Sequence, residues 1–235
     1  MNTEHARRRH FHQELDTLQE RLLEMATLVE HALADATRAV LDRDPTQGDI
    51  LRDADERIDE LEVEIDERVV ELLALQQPMA SDLRQIIATN KVSNDLERIA
   101  DHAVNIARAV ARLADAPPME KLREIEEMIE LTRGMVSDAL AAYVSRNAGT
   151  ARMVCLTDDR VDDLKRSVFR IVVTHMLEDP KRIGAALELL LISQNLERTA
   201  DLATNICEDV VFLVEGRSIK HGLDIDEDDD ETEHR

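Results

Sequence analysis

The chain has 235 residues, of which 43% are hydrophobic and only 2% aromatic, with six glycines and five prolines. So few aromatic and turn-forming residues argue against a β-sandwich or β-barrel and favour a core of aliphatic side chains between helices. The formal net charge of −22 argues against binding the phosphate backbone of a nucleic acid and against lying on an anionic membrane.

The chain shows no targeting or membrane-spanning signal. No apolar run approaches the roughly 20 residues that cross a bilayer as a helix, and no cationic start followed by an apolar segment marks a signal peptide. Cys155 and Cys207 form no C-x-x-C pair, so neither a zinc ribbon nor a thioredoxin motif is indicated, and each is interpreted as a small buried hydrophobe. We therefore expect a cytoplasmic protein without direct membrane insertion.

The first half of the chain has apolar side chains at alternating steps of four and three residues. This pattern is typical of long helices that pack nearly antiparallel in a bundle. It predicts helices over 11–41, 49–76 and about 81–113. Asp44-Pro45 ends the first helix, and Pro78 separates the second helix from the third.

The same pattern starts again after the Ala-Pro-Pro segment at 116–118. It predicts three further helices over about 119–146, 150–178 and 181–215. Asp179-Pro180 breaks the second of them from the third, much as a proline does in the first half, and Gly216 is a suitable C-terminal cap.

The predicted fold is therefore all-α, with two tandem, sequence-related three-helix bundles and six long helices. The first bundle spans 1–115 and the second spans 116–218. Residues 219–235 end in DIDEDDDETEHR. A run of like charges without apolar partners predicts a disordered acidic tail.

One sequence segment occurs twice in the chain. Residues 92–107 read VSNDLERIADHAVNIA and residues 192–207 read ISQNLERTADLATNIC, with nine of the sixteen positions identical. Each copy places two acidic side chains four residues apart, so that they share one helix face, and the second helix of each half has a matching acidic pair. The candidate metal ligands are Asp55, Asp59, Glu97 and Asp101 in the first half, and Asp158, Asp162, Glu197 and Asp201 in the second.

Where the two helices of one half pack side by side, four carboxylates come together. Like charges repel strongly unless cations or arginines compensate them. Oxygen ligands suit divalent or trivalent ions such as iron, zinc, manganese or magnesium, and four carboxylates can bridge a multinuclear cluster. The simpler alternative is ordinary charge pairing on a metal-free helix face, with Arg98 and Arg198 as partners.

Signals of catalysis are weak. No P-loop, dinucleotide fingerprint, G-x-S-x-G motif or Cys–His constellation stands out. Di-iron bundle enzymes use Glu-x-x-His, and the only such pair here joins Glu231 to His234 in the tail. His102 abuts Asp101, but its counterpart in the second copy is Leu202. These residues favour a protein that is not an enzyme; a carboxylate-bridged metalloenzyme and a metal-free acidic helical adaptor are the alternatives.

Several segments together form a specific signature. They are 77–84 (QPMASDLR), 94–102 (NDLERIADH), 178–180 (EDP), 195–201 (NLERTAD), 204–211 (TNICEDVV) and 216–221 (GRSIKH). They resemble the PhoU family, the accessory regulators of bacterial and archaeal phosphate uptake. The resemblance extends from Phe11 to His221 and leaves out the acidic tail.

The resemblance implies a pair of three-helix bundles that forms a homodimer. It also implies multinuclear metal clusters on the acidic boxes, as some family members have. The implied partners are the ATPase of the phosphate ABC transporter and a phosphate-sensing histidine kinase, and the implied role is negative regulation of the phosphate-starvation response.

Overall fold

The computed structural model describes residues 2–76, 78–117, 120–217 and 219. Within those ranges it contains helices and no strands, which confirms the all-α prediction. The α-helices are α1 (Asn2–Asp42), α2 (Gly48–Gln76), α3 (Ala80–Ala114), α4 (Arg123–Ser145), α5 (Ala148–Cys155), α6 (Asp158–Glu178) and α7 (Ile183–Glu215), with short 3-10 turns at Pro45–Gln47 and Pro180–Arg182.

Each half builds its own three-helix layer around an aliphatic seam. Helices α1, α2 and α3 contact one another, as do α4, α6 and α7, and α5 packs on α4 and α7. The predicted stripes are buried: Ile58 on α2 and its counterpart Val161 on α6 are both fully enclosed, as are Leu96 on α3 and Leu196 on α7. Alternating four- and three-residue spacing therefore predicted the core-facing side of these helices correctly.

Three helix limits differ from the prediction. Helix α4 begins at Arg123 rather than near residue 119. Helix α1 begins at Asn2 rather than near residue 11, because residues 2–10 suit a helix but lack the apolar stripe that signals one. The helix predicted over 150–178 is broken into α5 and α6. At the break the amide of Thr157 donates to the carbonyl of Val154 at 2.9 Å, and Arg160 donates to Thr157 at 3.1 Å. These three-residue bonds tighten the chain locally, and hydrophobic periodicity does not report them.

The two halves are joined mainly through α3 and α7, whose contact is the most extensive in the molecule. Polar pairs across this seam show that the helices run antiparallel. The ammonium of Lys91 contacts Asp209 at 2.8 Å, Nδ1 of His102 lies 3.1 Å from the side-chain oxygen of Asn195, and Arg112 contacts Glu188 at 2.9 Å. The acidic boxes therefore lie on the two central helices of the molecule.

The sequence repeat is also a structural repeat. Arg57 on α2 pairs with Glu24 on α1 at 2.8 Å. In the second half Arg160 on α6 pairs with Glu127 on α4, at positions shifted by the same number of residues. Equivalent helices therefore make equivalent contacts in the two halves, which is the arrangement that a duplicated sequence predicts.

The chain ends of the described region bear on two further expectations. Gly216 has φ of +73° and donates its amide to the carbonyl of Phe212, so it is the left-handed C-cap that the sequence predicts. Ile219 packs partly buried against the core; the remainder of the predicted 219–235 tail lies outside the described residues. Over the ranges that are described, no helix is long and apolar enough to cross a membrane.

Candidate metal centres

The first acidic set lies at the rim of the contact between α2 and α3. Its residues stand one position beyond the buried stripe, so their side chains leave the core at the edge of the interface. Asp55 and Glu97 are half-buried, whereas Asp59 and Asp101 are exposed. We refer to Asp55, Asp59, Glu97 and Asp101 as the first carboxylate set.

The electrostatics show that these four side chains are neighbours. Partial burial raises the pKa of Glu97 to about 7, and the charges of Asp101, Asp59 and Asp55 add to the effect. Partial burial likewise raises the pKa of Asp55, with contributions from Asp59 and Asp101. The neighbouring carboxylates therefore disfavour ionisation of Asp55 and Glu97, as expected where negative charge exceeds its compensation.

A fifth acidic residue, which lies outside the two repeated boxes, belongs to this set. Glu62 on α2 also raises the pKa of Glu97, and its own pKa is raised by partial burial and by Asp66 and Asp59. Glu62 is three residues after Asp59, so it continues the same helix face. Extending that acidic line by one more turn would have revealed it.

The second set lies in the equivalent place between α6 and α7. Partial burial raises the pKa of Asp158 to about 6, and the charges of Asp201, Asp162 and Glu197 act in the same direction. The pKa of Asp201 is raised by burial and by Glu197 and Asp162. We refer to Asp158, Asp162, Glu197 and Asp201 as the second carboxylate set.

The two sets differ in charge compensation. Lys165 on α6 contacts Glu197 at 2.7 Å, and it occupies the position that Glu62 has on α2. The first set thus has an additional acid where the second has an ion-paired base. Arg108 acts on the first set by opposing the rise in the pKa of Asp55.

His102 is peripheral to the first set. Its Nδ1 lies 3.1 Å from the side-chain oxygen of Asn195, so the ring is engaged across the α3–α7 seam. Its half-burial lowers its pKa, and the Asn195 contact opposes that shift. In the second half Leu202 occupies the position equivalent to His102, and a leucine side chain cannot form the corresponding hydrogen bond.

The carboxylates of the two sets have the right chemistry for a metal ion, but their side chains are not positioned to bind one. Carboxylate oxygens are the ligands that hard cations prefer. Among the described residues, however, no group of three or more His, Cys, Asp or Glu side chains is placed so that it could hold an ion directly. The donors fit a hard cation, but the side chains would have to rotate inward to bind it, so the eight-ligand assignment stays a prediction.

Comparison with known proteins gives one family. The family model described as "PhoU domain" matches residues 22–110 and again residues 125–210. The two matches contain the first and second carboxylate sets respectively.

Curated relatives extend the likeness over most of the chain. The "phosphate-specific transport system accessory protein PhoU homolog" of Clostridium acetobutylicum is 36% identical over 213 residues, covering 90% of this chain and 97% of the relative. The homolog of the same name from Caulobacter vibrioides is 38% identical over 208 residues, covering 88% of this chain and 90% of the relative.

Solved structures share the fold. The crystal structure of PhoU from Pseudomonas aeruginosa matches with a TM-score of 0.85 and 37% identity, covering 88% of this chain and 100% of that one. The phosphate transport system regulatory protein PhoU from Streptococcus pneumoniae matches with a TM-score of 0.81 and 29% identity, covering 88% of this chain and 98% of that one. On the family match, the relatives and the shared fold, the chain belongs to the PhoU family.

Proposed function

We propose that this protein is an accessory regulator of phosphate uptake and phosphate-starvation signalling, and that it is not an enzyme. The observation that carries the proposal is the match to relatives named as phosphate-specific transport system accessory proteins over nearly their whole length. The structure from Streptococcus pneumoniae is named as a regulatory protein of phosphate transport. The role is one of binding and signalling.

Metal binding at the two carboxylate sets is the chemical part of the proposal. Its support is the raised pKa of Glu97 in the first set and of Asp158 in the second, to which neighbouring carboxylates contribute, because a bound cation would relieve that repulsion. Asp55 and Asp59 would hold it from α2, and Glu97 and Asp101 from α3. The cation would supply positive charge that braces the two helices against each other. Iron, zinc, manganese and magnesium all accept such ligands.

The proposed partners are the ATPase of the phosphate ABC transporter and its phosphate-sensing histidine kinase, met in the cytoplasm by a homodimer of this chain. The relatives' names support association with transport machinery. The net charge of −22 suits docking onto basic surfaces of partner proteins, since opposite charges steer association. Contact with the kinase would let the protein repress the starvation response when phosphate is plentiful.

Metal analysis of paired variants tests the site assignment. In the Glu97→Ala/Asp101→Ala variant we expect metal bound per chain to fall by the share of the first half only. The matched Glu197→Ala/Asp201→Ala variant should lose the share of the second half. Elemental analysis after gentle purification measures both, and unchanged metal content in either variant would show that the assigned carboxylates are not the ligands.

A pull-down tests the partner assignment separately. The intact protein, immobilised at low ionic strength, should retain the purified transporter ATPase and release it as salt is raised, because the contact is expected to be electrostatic. The same experiment with the cytoplasmic part of the sensor kinase tests the second partner. Failure to retain either protein, with and without added Mn²⁺, would overturn the regulatory proposal while leaving the metal result intact.

A further inference from the structure

The two cysteines of the chain meet in the second half. Cys155 is the last residue of α5 and is half-buried, whereas Cys207 on α7 is fully buried in the core. Helices α5 and α7 pack directly on each other, and the two thiols are close enough for each to change the pKa of the other. All of α6 lies between them in the chain, so this pairing is a product of the tertiary fold.

The two thiols have different surroundings. Cys155 is only half-buried. The neighbouring Cys207 lowers its pKa, although burial and the charges of Glu208 and Asp158 oppose that shift. Contact with Cys155 and burial both raise the pKa of Cys207. A thiolate is the reactive form of cysteine, and an accessible one reacts with oxidants first. The pair therefore has a half-buried sulfur, Cys155, as the attacking group and a fully buried sulfur, Cys207, beside it.

We propose that Cys155 and Cys207 are a redox modification site, at which a hydroperoxide converts the two thiols to a reversible disulfide between α5 and α7. The Cys155 thiolate attacks one peroxide oxygen, the O–O bond breaks, and a sulfenic acid forms while the second oxygen leaves as water or an alcohol. The Cys207 sulfur then displaces the sulfenic hydroxyl, which takes the thiol proton and leaves as water. Two thiols lose two electrons and the peroxide gains them; a dithiol reductant reverses the reaction by exchange.

The site is present in only one half of the repeat. Ala107 occupies the position on α3 that corresponds to Cys207, and Arg52 on α2 corresponds to Cys155. Cys155 immediately precedes the break between α5 and α6, and Asp158 follows it by three residues. The disulfide would link the end of α5 covalently to α7. It would therefore restrain the second half of the chain and leave the first half unchanged. The inference needs no metal at either carboxylate set.

Oxidation of the intact, fully reduced chain tests the site. After treatment with a small excess of hydrogen peroxide, the thiols titratable under denaturing conditions should fall from two per chain to none, with a mass loss of two hydrogen atoms. Proteolytic mapping should find the peptides of Cys155 and Cys207 joined, and dithiothreitol should restore both thiols. If both thiols remain titratable, or if disulfides form only between chains, the proposal is wrong.

Two variants and an unfolded control separate proximity from simple reactivity. Cys207→Ala copies the first half and should fold; in it, a sulfenic acid on Cys155 should persist and be trapped by dimedone, with no disulfide within the chain. Cys155→Ser should show little oxidation of the buried Cys207. The disulfide should form at least tenfold faster in the folded chain than in urea, since the fold holds the thiols together. Equal rates, or dimedone labelling of Cys155→Ser as strong as that of Cys207→Ala, would refute the inference.

Discussion

At the scale of single residues, the neighbours of a carboxylate decide what it does. Glu97 and Glu197 occupy the same position in the two copies of the repeated segment. Glu97 has Glu62 beside it and a pKa raised to about 7, whereas Glu197 is paired with Lys165 at 2.7 Å. One difference on the adjoining helix, Glu against Lys, therefore separates two boxes that look alike in sequence.

Glu97 should make the metal-free protein less stable as pH rises. Its folded pKa of about 7 lies above the ordinary value of 4.5, so between these values the folded state binds more protons than the unfolded state. The free energy of unfolding therefore falls as pH rises through this window. With Glu97→Gln we expect the fall to flatten by about 1 kcal/mol after solvent screening, measured by urea unfolding with a chelator present.

The matched control is the same change in the other half. Glu197→Gln removes the ion pair with Lys165 and leaves Glu97 as it is, so the decline between pH 4.5 and about 7 should persist. A Glu97→Gln variant whose stability falls as steeply as that of the wild type would contradict the prediction.

At the scale of helices, the seam between α3 and α7 uses different chemistry on its two sides. On one side Lys91 contacts Asp209, whose side chain is only 3% exposed, and the ammonium lies over the ring of Phe212. The equivalent positions on the other side of the repeat hold Leu191 and Ala109. The α3–α7 seam therefore has an ion pair at one place and apolar side chains at the equivalent place of the other half.

Replacing one partner of the ionic pair should cost more than replacing both. Lys91→Leu leaves the Asp209 carboxylate buried and unpaired, which we expect to cost about 2 kcal/mol because half-exposed Lys91 was partly solvated. The double variant Lys91→Leu/Asp209→Ala copies the Leu191–Ala109 arrangement and should recover most of that loss. Chemical denaturation of the two single variants and the double variant gives the coupling energy; additive losses would contradict this view of the seam.

At the scale of the whole molecule, the dominant fact is charge. A net charge of −22 on 235 residues makes the compact state repel itself, and added salt screens that repulsion. The carboxylate sets concentrate part of this charge at two places along the central helices. Stability should therefore respond both to ionic strength in general and to divalent cations in particular.

Thermal unfolding in matched salts separates these two effects. Sodium chloride should raise the melting temperature by a few degrees as ionic strength increases from about 0.01 M to about 0.5 M, because longer-range repulsion is screened. Mn²⁺ or Mg²⁺ at the same ionic strength should raise it further, because ligand binding to the folded state stabilises it by mass action. Equal shifts in the monovalent and divalent salts would speak against specific cation sites.

Much of the architecture could be predicted from the sequence because it follows from local periodicity. The stripes placed Ile58, Leu96 and Leu196 in the core, and Gly216 was recognised as a cap because a left-handed residue ending a helix favours glycine. The break between α5 and α6 could not be predicted. It depends on two three-residue hydrogen bonds and on the packing of α5 against α7, neither of which leaves a periodic signal.

The sequence by itself determined the all-α class, the duplication, the two acidic boxes and the family, because helical spacing and repeated sequence segments are properties of the chain alone. Only the tertiary structure decided which helices face each other, since that depends on contacts between residues far apart in the chain. It brought Glu62 to Glu97 and Lys165 to Glu197, buried Asp209 against Lys91, and set Cys155 against Cys207. The two halves share a pattern, and their different neighbours make them chemically unequal.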